Sequence, residues 1–275
     1  MKSLTLYLFS NLFQSMVKTA LITGAASGLG YELSLLLAND SFNLILVDIN
    51  DERLKLVRDE IIKSFNINVD ILVKDLSKLN IAEEIVDEIK DISIDVLVNN
   101  AGFGLFGSFN NTEWEREIQM LNVHIVTSTH LTKLLLNGMV NRGSGKILNI
   151  SSLAAFQPGP LMSVYYASKS YLLSFSEAIA NELKETGVTV TVLCPGPTKT
   201  AFQEVVSETA SDNKIGFNMA SASEVALYGY EAMQKGKTVA IPGFFNKFLA
   251  SLHRFVSREM ATKIMRNLQE KNRKE

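Results

Sequence analysis

The sequence predicts an α/β protein, a single doubly wound domain whose mostly parallel seven-stranded sheet carries helices on both faces. Three observations lead there. Apolar, β-branched runs alternate with segments of helical spacing almost to the C-terminus, the order of repeated β-α-β units with right-handed crossovers. Several runs, Leu44-Ile45-Leu46-Val47 and Val96-Leu97-Val98 among them, are apolar at every position, which suits strands covered on both faces. A glycine-rich turn follows the first strand and opens the first helix.

Taken in order, the predicted strands are Thr19–Thr23, Asn43–Asp48, Val69–Val73, Asp95–Asn99, Lys146–Ile150, Val188–Leu193 and Thr238–Ile241. Helical spacing occupies Leu29–Ala38, Glu52–Ser64, Ala82–Asp91, Glu113–Asn137, Ala167–Thr186 and Glu224–Lys235. The least regular stretch, Thr198 to Ala220, is rich in Ser, Thr, Asn and Asp. It reads as a lid over a ligand ahead of a plain mobile loop, because it falls just after a strand.

At 275 residues the chain has room for one large α/β domain or two small ones, and no linker or repeat divides it. Hydrophobic residues make up 47% and charged residues 20%, as in a globular protein. The net charge of −2 provides no global basic field for nucleic acid. Cys194 is the one cysteine, so no intrachain disulfide forms, and a reducing, cytoplasmic setting fits.

Three segments follow: residues 1–16 as an appendage, 17–243 as the doubly wound domain, and 244–275 as an amphipathic basic helical tail. The run Leu4 to Phe9 is too short to span a membrane, and residues 1–16 lack a small-residue cleavage site. They read as an appendage ahead of the true start at Met16, with a short amphipathic anchor as the rival. In the tail, Phe245, Phe248, Leu249, Leu252, Phe255, Val256, Met260, Ile264, Met265 and Leu268 recur at helical spacing among Lys and Arg. This predicts a helix packed on its own domain or on a second subunit, with peripheral membrane contact as the sharper alternative.

The turn Thr23-Gly24-Ala25-Ala26-Ser27-Gly28-Leu29-Gly30 is the first chemical signal. Gly24 permits a tight exit from the strand, while Gly28 and Gly30 let backbone approach a pyrophosphate that faces the helix N-terminus. Asp48 ends the second strand, where an acid accepts hydrogen bonds from adenosine ribose hydroxyls and repels a 2′-phosphate. That predicts NAD(H) in preference to NADP(H), in a Rossmann-type domain.

Further motifs follow in order: Asn99-Asn100-Ala101-Gly102, then Asn122, Ser152, Tyr165 with Lys169, and Pro195-Gly196-Pro197-Thr198-Lys199-Thr200. With the glycine turn, this ordered set closely resembles the short-chain dehydrogenase/reductase family in its compact single-domain branch, from about residue 17 to about 243. The resemblance implies hydride transfer between a nicotinamide cofactor and a secondary alcohol or carbonyl. It implies cofactor contacts from Gly24, Ser27, Gly28, Leu29, Gly30, Asp48, Asp75, Leu76, Asn99, Ala101, Gly102, Pro195, Gly196, Thr198 and Thr200, besides Tyr165 and Lys169. It also implies a homodimer or homotetramer through the helices that hold Asn122 and Tyr165.

The catalytic set Asn122, Ser152, Tyr165 and Lys169 makes physical sense. Tyr165 and Lys169 are four apart at the start of a helical pattern and share a face. A phenol of pKa about 10 is a poor base at neutral pH, and a neighbouring ammonium together with the positive nicotinamide of an oxidised cofactor is expected to lower it. Tyr166 has Ser170 four residues on, so only Tyr165 completes the pair. The family's serine lies 13 positions before its tyrosine, which selects Ser152 over Ser151. By resemblance, Asn122 kinks its helix and holds a water linked to the lysine.

Cys194 reads as a small buried residue. His124, His130 and His253 suggest no metal cluster and read as structural or solvent-facing. Phe103, Leu105, Phe106, Phe109, Phe156, Leu161, Met162, Phe202 and Phe217 fall in loops near the strand C-termini, which favours a hydrophobic small-molecule substrate. The other reading, a catalytically silent dinucleotide-binding protein, is disfavoured because all four catalytic residue types are present.

Overall fold

A computed structural model describes residues 18–199, 219–252 and 255–271. Residues 1–16, Thr200, Phe202, Phe217 and the middle of the expected lid lie outside the described residues, as does His253.

The strands are β1 (Thr19–Thr23), β2 (Asn43–Asp48), β3 (Val69–Val73), β4 (Val96–Asn99), β5 (Gly145–Ile150), β6 (Val188–Leu193), β7 (Thr198–Lys199), β8 (Ala220–Ser221) and β9 (Val239–Ala240). Seven of them form one sheet in the order β3-β2-β1-β4-β5-β6-β9, with every pairing parallel. The order reverses direction at β1, so β1 and β4 diverge in connection and open a crevice at their C-terminal ends. The short β7 and β8 pair in parallel separately, flanking the irregular stretch, a pairing the sequence did not announce.

The helices are α1 (Gly28–Asn39), α2 (Asp51–Ser64), α3 (Ile81–Glu88), α4 (Trp114–Leu121), α5 (Ser128–Asn141), α6 (Ser163–Glu182), α7 (Ala222–Gln234), α8 (Phe244–Leu252) and α9 (Arg258–Lys271). Two apolar layers follow from this arrangement. One packs α1, α2 and α7 against one sheet face through Leu33, Leu37, Leu54, Ile61, Val225 and Met233. The other packs α3 and α5 against the opposite face through Ile81, Ile85, Leu131 and Met139. Strands read as continuous apolar runs are buried on both sides, as β1 is at all five positions.

The long helix expected over Glu113–Asn137 is not continuous. A π-helical turn, Asn122–Thr127, separates α4 from α5. Ser128 Oγ donates to the Val123 carbonyl, five residues back, at 3.0 Å. Asn122 Nδ2 donates to Ser77 O at 2.9 Å and Thr127 Oγ1 to Leu76 O at 2.8 Å. These two anchors hold the wider turn against the loop after β3. The tail also departs from a single helix: it breaks into α8 and α9. Among the described residues, no helix is long and apolar enough to cross a membrane.

Candidate active site

Parallel strands bring the site residues at their C-terminal ends to one edge of the sheet. Gly24 follows β1, Asp48 ends β2, Asn100 follows β4, Ser152 follows β5 and Pro195 follows β6.

The glycine turn is shaped by close packing. A Cβ on Gly30 would sit 2.0 Å from the Gly24 carbonyl oxygen and 2.6 Å from Asn100 Nδ2, so no side chain fits there. Asn100 Nδ2 donates to Thr23 O (2.9 Å) and Gly24 O (3.0 Å) and locks the turn to the end of β4. Ser27 caps α1 with extended backbone and makes no side-chain cap hydrogen bond; no acid stands in the first turn. The N-terminal N–H groups around Gly28, Leu29 and Gly30 thus face the crevice as anion donors.

Asp48 braces this turn. Its Oδ2 accepts from Ala26 N and its Oδ1 from Asn50 N, each at 3.0 Å. A carboxylate has about four acceptor sites, so capacity remains for ribose hydroxyls. Asp75 Oδ1 accepts from Ser77 N (3.0 Å) and Ser77 Oγ (2.7 Å), and the Leu76 side chain is buried. The Asn99 side chain points into the core instead of the crevice: its Nδ2 donates to Asn149 Oδ1, Thr132 Oγ1 and Ser128 O. The two asparagines divide the bracing, Asn99 tying β4 to β5 and α5 while Asn100 holds the glycine turn. Ala101 N donates to Thr23 Oγ1, and Gly102 is exposed. Thr198 Oγ1 donates to Gly196 O at 2.9 Å, and Pro195 O accepts from Leu153 N.

Tyr165, Ser152 and Lys169 converge. The helix α6 starts at Ser163, earlier than expected, so Tyr165 and Lys169 occupy its first two turns. The Tyr165 hydroxyl is hydrogen-bonded to the Ser152 side chain, which favours the phenolate. Lys169 Nζ donates to Ile150 O at 3.0 Å and lies 5.7 Å from the Tyr165 ring centroid. Burial pushes the phenol well above its ordinary value, outweighing the serine. The expected lowering by the lysine is therefore not met in the protein alone. Desolvation of the phenol itself is the largest effect, and Lys169, buried too, has its own pKa lowered to about 8. Asn122 sits at the head of the π-helical turn with its side chain on the Ser77 carbonyl.

His124 is the residue that sequence reasoning undervalued. It is buried, accepts from Phe103 N at Nε2 (3.2 Å), and meets Ser168 Oγ at Nδ1 (2.8 Å). Ser168 Oγ donates in turn to Tyr165 O at 2.7 Å, and the His124 and Tyr165 rings lie edge to face at 5.9 Å. A Cβ on Gly102 would come within 2.5 Å of His124 Nε2, which explains glycine there. With Nε2 accepting, Nδ1 carries the proton. Of the other groups, His130 Nε2 lies 3.7 Å from Glu83 and Cys194 is a buried free thiol whose pKa burial raises to about 12. Among the described residues no cluster of His, Cys, Asp or Glu could hold a metal.

Apolar side chains frame the tyrosine. Met120, Ala154, Met162, Tyr165 and Tyr166 form a buried cluster, with Phe103, Leu105, Phe106 and Met265 against it. A small pocket lined by Leu105, Met120, Leu161, Met162 and Tyr165 opens beside the phenol. Phe109 is 63% exposed and stands apart from it.

A family model described as short chain dehydrogenase matches residues 18–211. The chain belongs to the short-chain dehydrogenase family. It is 35% identical over 189 residues to the mouse 17-beta-hydroxysteroid dehydrogenase type 3, covering 68% of this chain and 62% of that one. It is 32% identical over 231 residues to the chicken hydroxysteroid dehydrogenase-like protein 1, covering 82% and 68%. The chain thus spans roughly two thirds of the length of these curated relatives. Among solved structures, a 7beta-hydroxysteroid dehydrogenase shares the fold with a TM-score of 0.82 at 23% identity, covering 90% of this chain and 96% of that one. In this short-chain dehydrogenase, the residues matching the family's ordered motifs are those gathered at the sheet's C-terminal edge.

Proposed function

We propose that this short-chain dehydrogenase moves a hydride between a nicotinamide cofactor and a hydrophobic secondary alcohol or ketone. The observation that carries the reading is the Tyr165 hydroxyl, hydrogen-bonded to Ser152, with Lys169 on the same helical face. Gly24, Ser27, Gly28, Leu29 and Gly30 hold the pyrophosphate against the α1 N-terminus, and Asp48 takes the ribose hydroxyls, favouring NAD(H) over NADP(H). Asp75, Leu76, Asn99, Ala101 and Gly102 border the adenosine side, the Asn99 contribution coming from its backbone. Pro195, Gly196 and Thr198 border the nicotinamide, and Thr200 belongs to the same stretch. When bound, the cofactor supplies or takes the hydride.

The protein's part is the proton. In reduction, Ser152 Oγ holds the carbonyl oxygen and Tyr165 gives it the phenolic proton; in oxidation Tyr165 takes the alcohol proton. The Lys169 ammonium stabilises the phenolate, and Asn122 shapes the turn behind it. The apolar side chains packed around Tyr165, among them Phe103, Leu105, Phe106, Met120 and Met162, support a hydrophobic substrate. The exposed Val126, on the π-helical turn, and Tyr171, on α6, support a homodimer or homotetramer through the face that holds Asn122 and Tyr165.

Titration with NADH and NADPH, followed by nicotinamide fluorescence, tests the cofactor reading; tighter NADPH binding overturns the NAD(H) preference. With hydrophobic ketones, Tyr165→Phe should lower turnover by about a hundredfold or more while cofactor binding persists. Unchanged turnover removes Tyr165 from the proton step. Cofactor binding with no turnover on any ketone or alcohol by the unmodified protein would instead favour a silent dinucleotide-binding role.

A further inference from the structure

The least expected surface of the molecule lies in its tail. Large apolar side chains stay exposed there in succession: Phe244 at 88%, Phe255 at 83%, then Phe245, Phe248, Met260 and Ile264. A soluble monomer seldom leaves so many neighbouring apolar groups in water without a partner for them. On α9, Met260, Ile264 and Leu268 recur every four residues and form one flank. The opposite flank is charged, with Glu259 paired to Lys263 and Glu270 to Arg266. Both acids of that helix are thus neutralised locally, while Arg258 and Lys271 make no ion pair among the described residues.

Charge decides which partner fits. Residues 244–275 contain eight Lys or Arg against three Glu, a net +5, whereas the whole chain is −2, leaving −7 on the preceding residues. A second copy presenting the same face would set +5 against +5. An anionic lipid surface satisfies both properties at once, taking the aromatic side chains at the headgroup boundary and the basic ones at the phosphates.

The attachment of α9 suits such a role. No side chain of α9 is buried, and it holds to the domain through Gln269 Nε2, which donates to Tyr166 Oη at 2.9 Å, and Met265 Sδ, 3.4 Å from the same hydroxyl. Tyr166 in turn packs edge-on against Tyr165, with ring centroids 6.1 Å apart. The helix facing the lipid is therefore tied to the neighbour of the reactive tyrosine.

We propose that α8, α9 and the link between them form a docking surface for an anionic bilayer, inserting Phe244 and Phe248 of α8 and Phe255 of the link. The inference stands on surface chemistry and is independent of the activity proposed above. The test is co-sedimentation of the full chain with phosphatidylcholine vesicles, with and without phosphatidylserine, beside the variants Phe244→Ser/Phe248→Ser/Phe255→Ser and Lys247→Glu/Lys271→Glu. All substituted side chains are exposed, and circular dichroism melting checks that each variant folds. The full chain should pellet with the anionic vesicles, and either variant should lower the partition coefficient by about tenfold or more. Recovery in the supernatant with both vesicle types overturns the proposal, as does equal binding to neutral and anionic vesicles. A triple serine variant that turns an oligomer into a monomer, with no vesicle binding by the parent, assigns the face to self-association and overturns it too.

Discussion

At the residue scale, His124 joins three pieces of the site: the Phe103 backbone, Ser168 and, through Ser168, the carbonyl of Tyr165. Burial holds its pKa well below the ordinary 6.5, and the Lys169 charge adds to that. In the unfolded chain the imidazole titrates near its ordinary value. The unfolded state therefore binds the extra proton first, and the stability His124 gives is fully present above 6.5 and lost as pH falls below it. His124→Phe should destabilise the protein by about 1–3 kcal/mol at neutral pH, because Phe103 N and Ser168 lose a partner. The gap to the unmodified protein should narrow as the pH drops below 6.5. Urea melts of both proteins across that range measure it, and a constant gap would mean the imidazole is not held neutral. Nothing in the sequence marked His124. A lone histidine in a helical pattern carries no signal, and its partners lie 21 and 44 positions away. Tyr165 and Lys169, by contrast, were legible because helical periodicity alone puts them on one face.

At the scale of elements, the π-helical turn Asn122–Thr127 is the feature that periodicity could not show. A window of 3.6-residue spacing runs smoothly through it, and the extra residue is specified by contacts to carbonyls 45 and 51 positions away. The two anchors are separable. Thr127→Val keeps the shape and deletes one hydrogen bond to Leu76 O, so it should cost about 1 kcal/mol of stability and leave turnover near the parent's. Asn122→Ala frees the Ser77 carbonyl at the head of the turn beside the site, and should lower turnover as well as stability. Steady-state assays paired with thermal melts separate the two, and unchanged turnover in Asn122→Ala removes that residue from the catalytic set. The strands were far more legible. β1, β2 and β6 have the bounds predicted for them, because a strand covered on both faces writes its length in hydrophobicity, and β3, an edge strand only partly covered, has them as well.

For the whole molecule, the two large apolar layers run from Ala20 to Ala240 and leave the tail outside them. The sequence suggested a boundary after residue 243, yet α8 and α9 differ. Ala250 of α8 is buried, and Asn246 approaches Gly196 closely enough that a Cβ there would lie 3.0 Å from its Nδ2. That makes α8 part of the domain's packing, whereas α9 hangs on Met265 and Gln269 at Tyr166, contacts 99 and 103 positions apart that no local pattern encodes. A chain ended after Ser257 should therefore lose little stability. Three hydrogen bonds of about 1 kcal/mol each, that of Gln157 Nε2 to Met265 Sδ included, lower the melting temperature by roughly 6–12 °C in a domain of this size. Ending the chain after Gly243 should cost more, since the Pro195-Gly196 turn then loses its cover. Calorimetry on the two shortened proteins orders them. If removal of α9 alone unfolds the domain, the helix is integral to the core, and the cheap detachment argued from its unburied side chains is wrong.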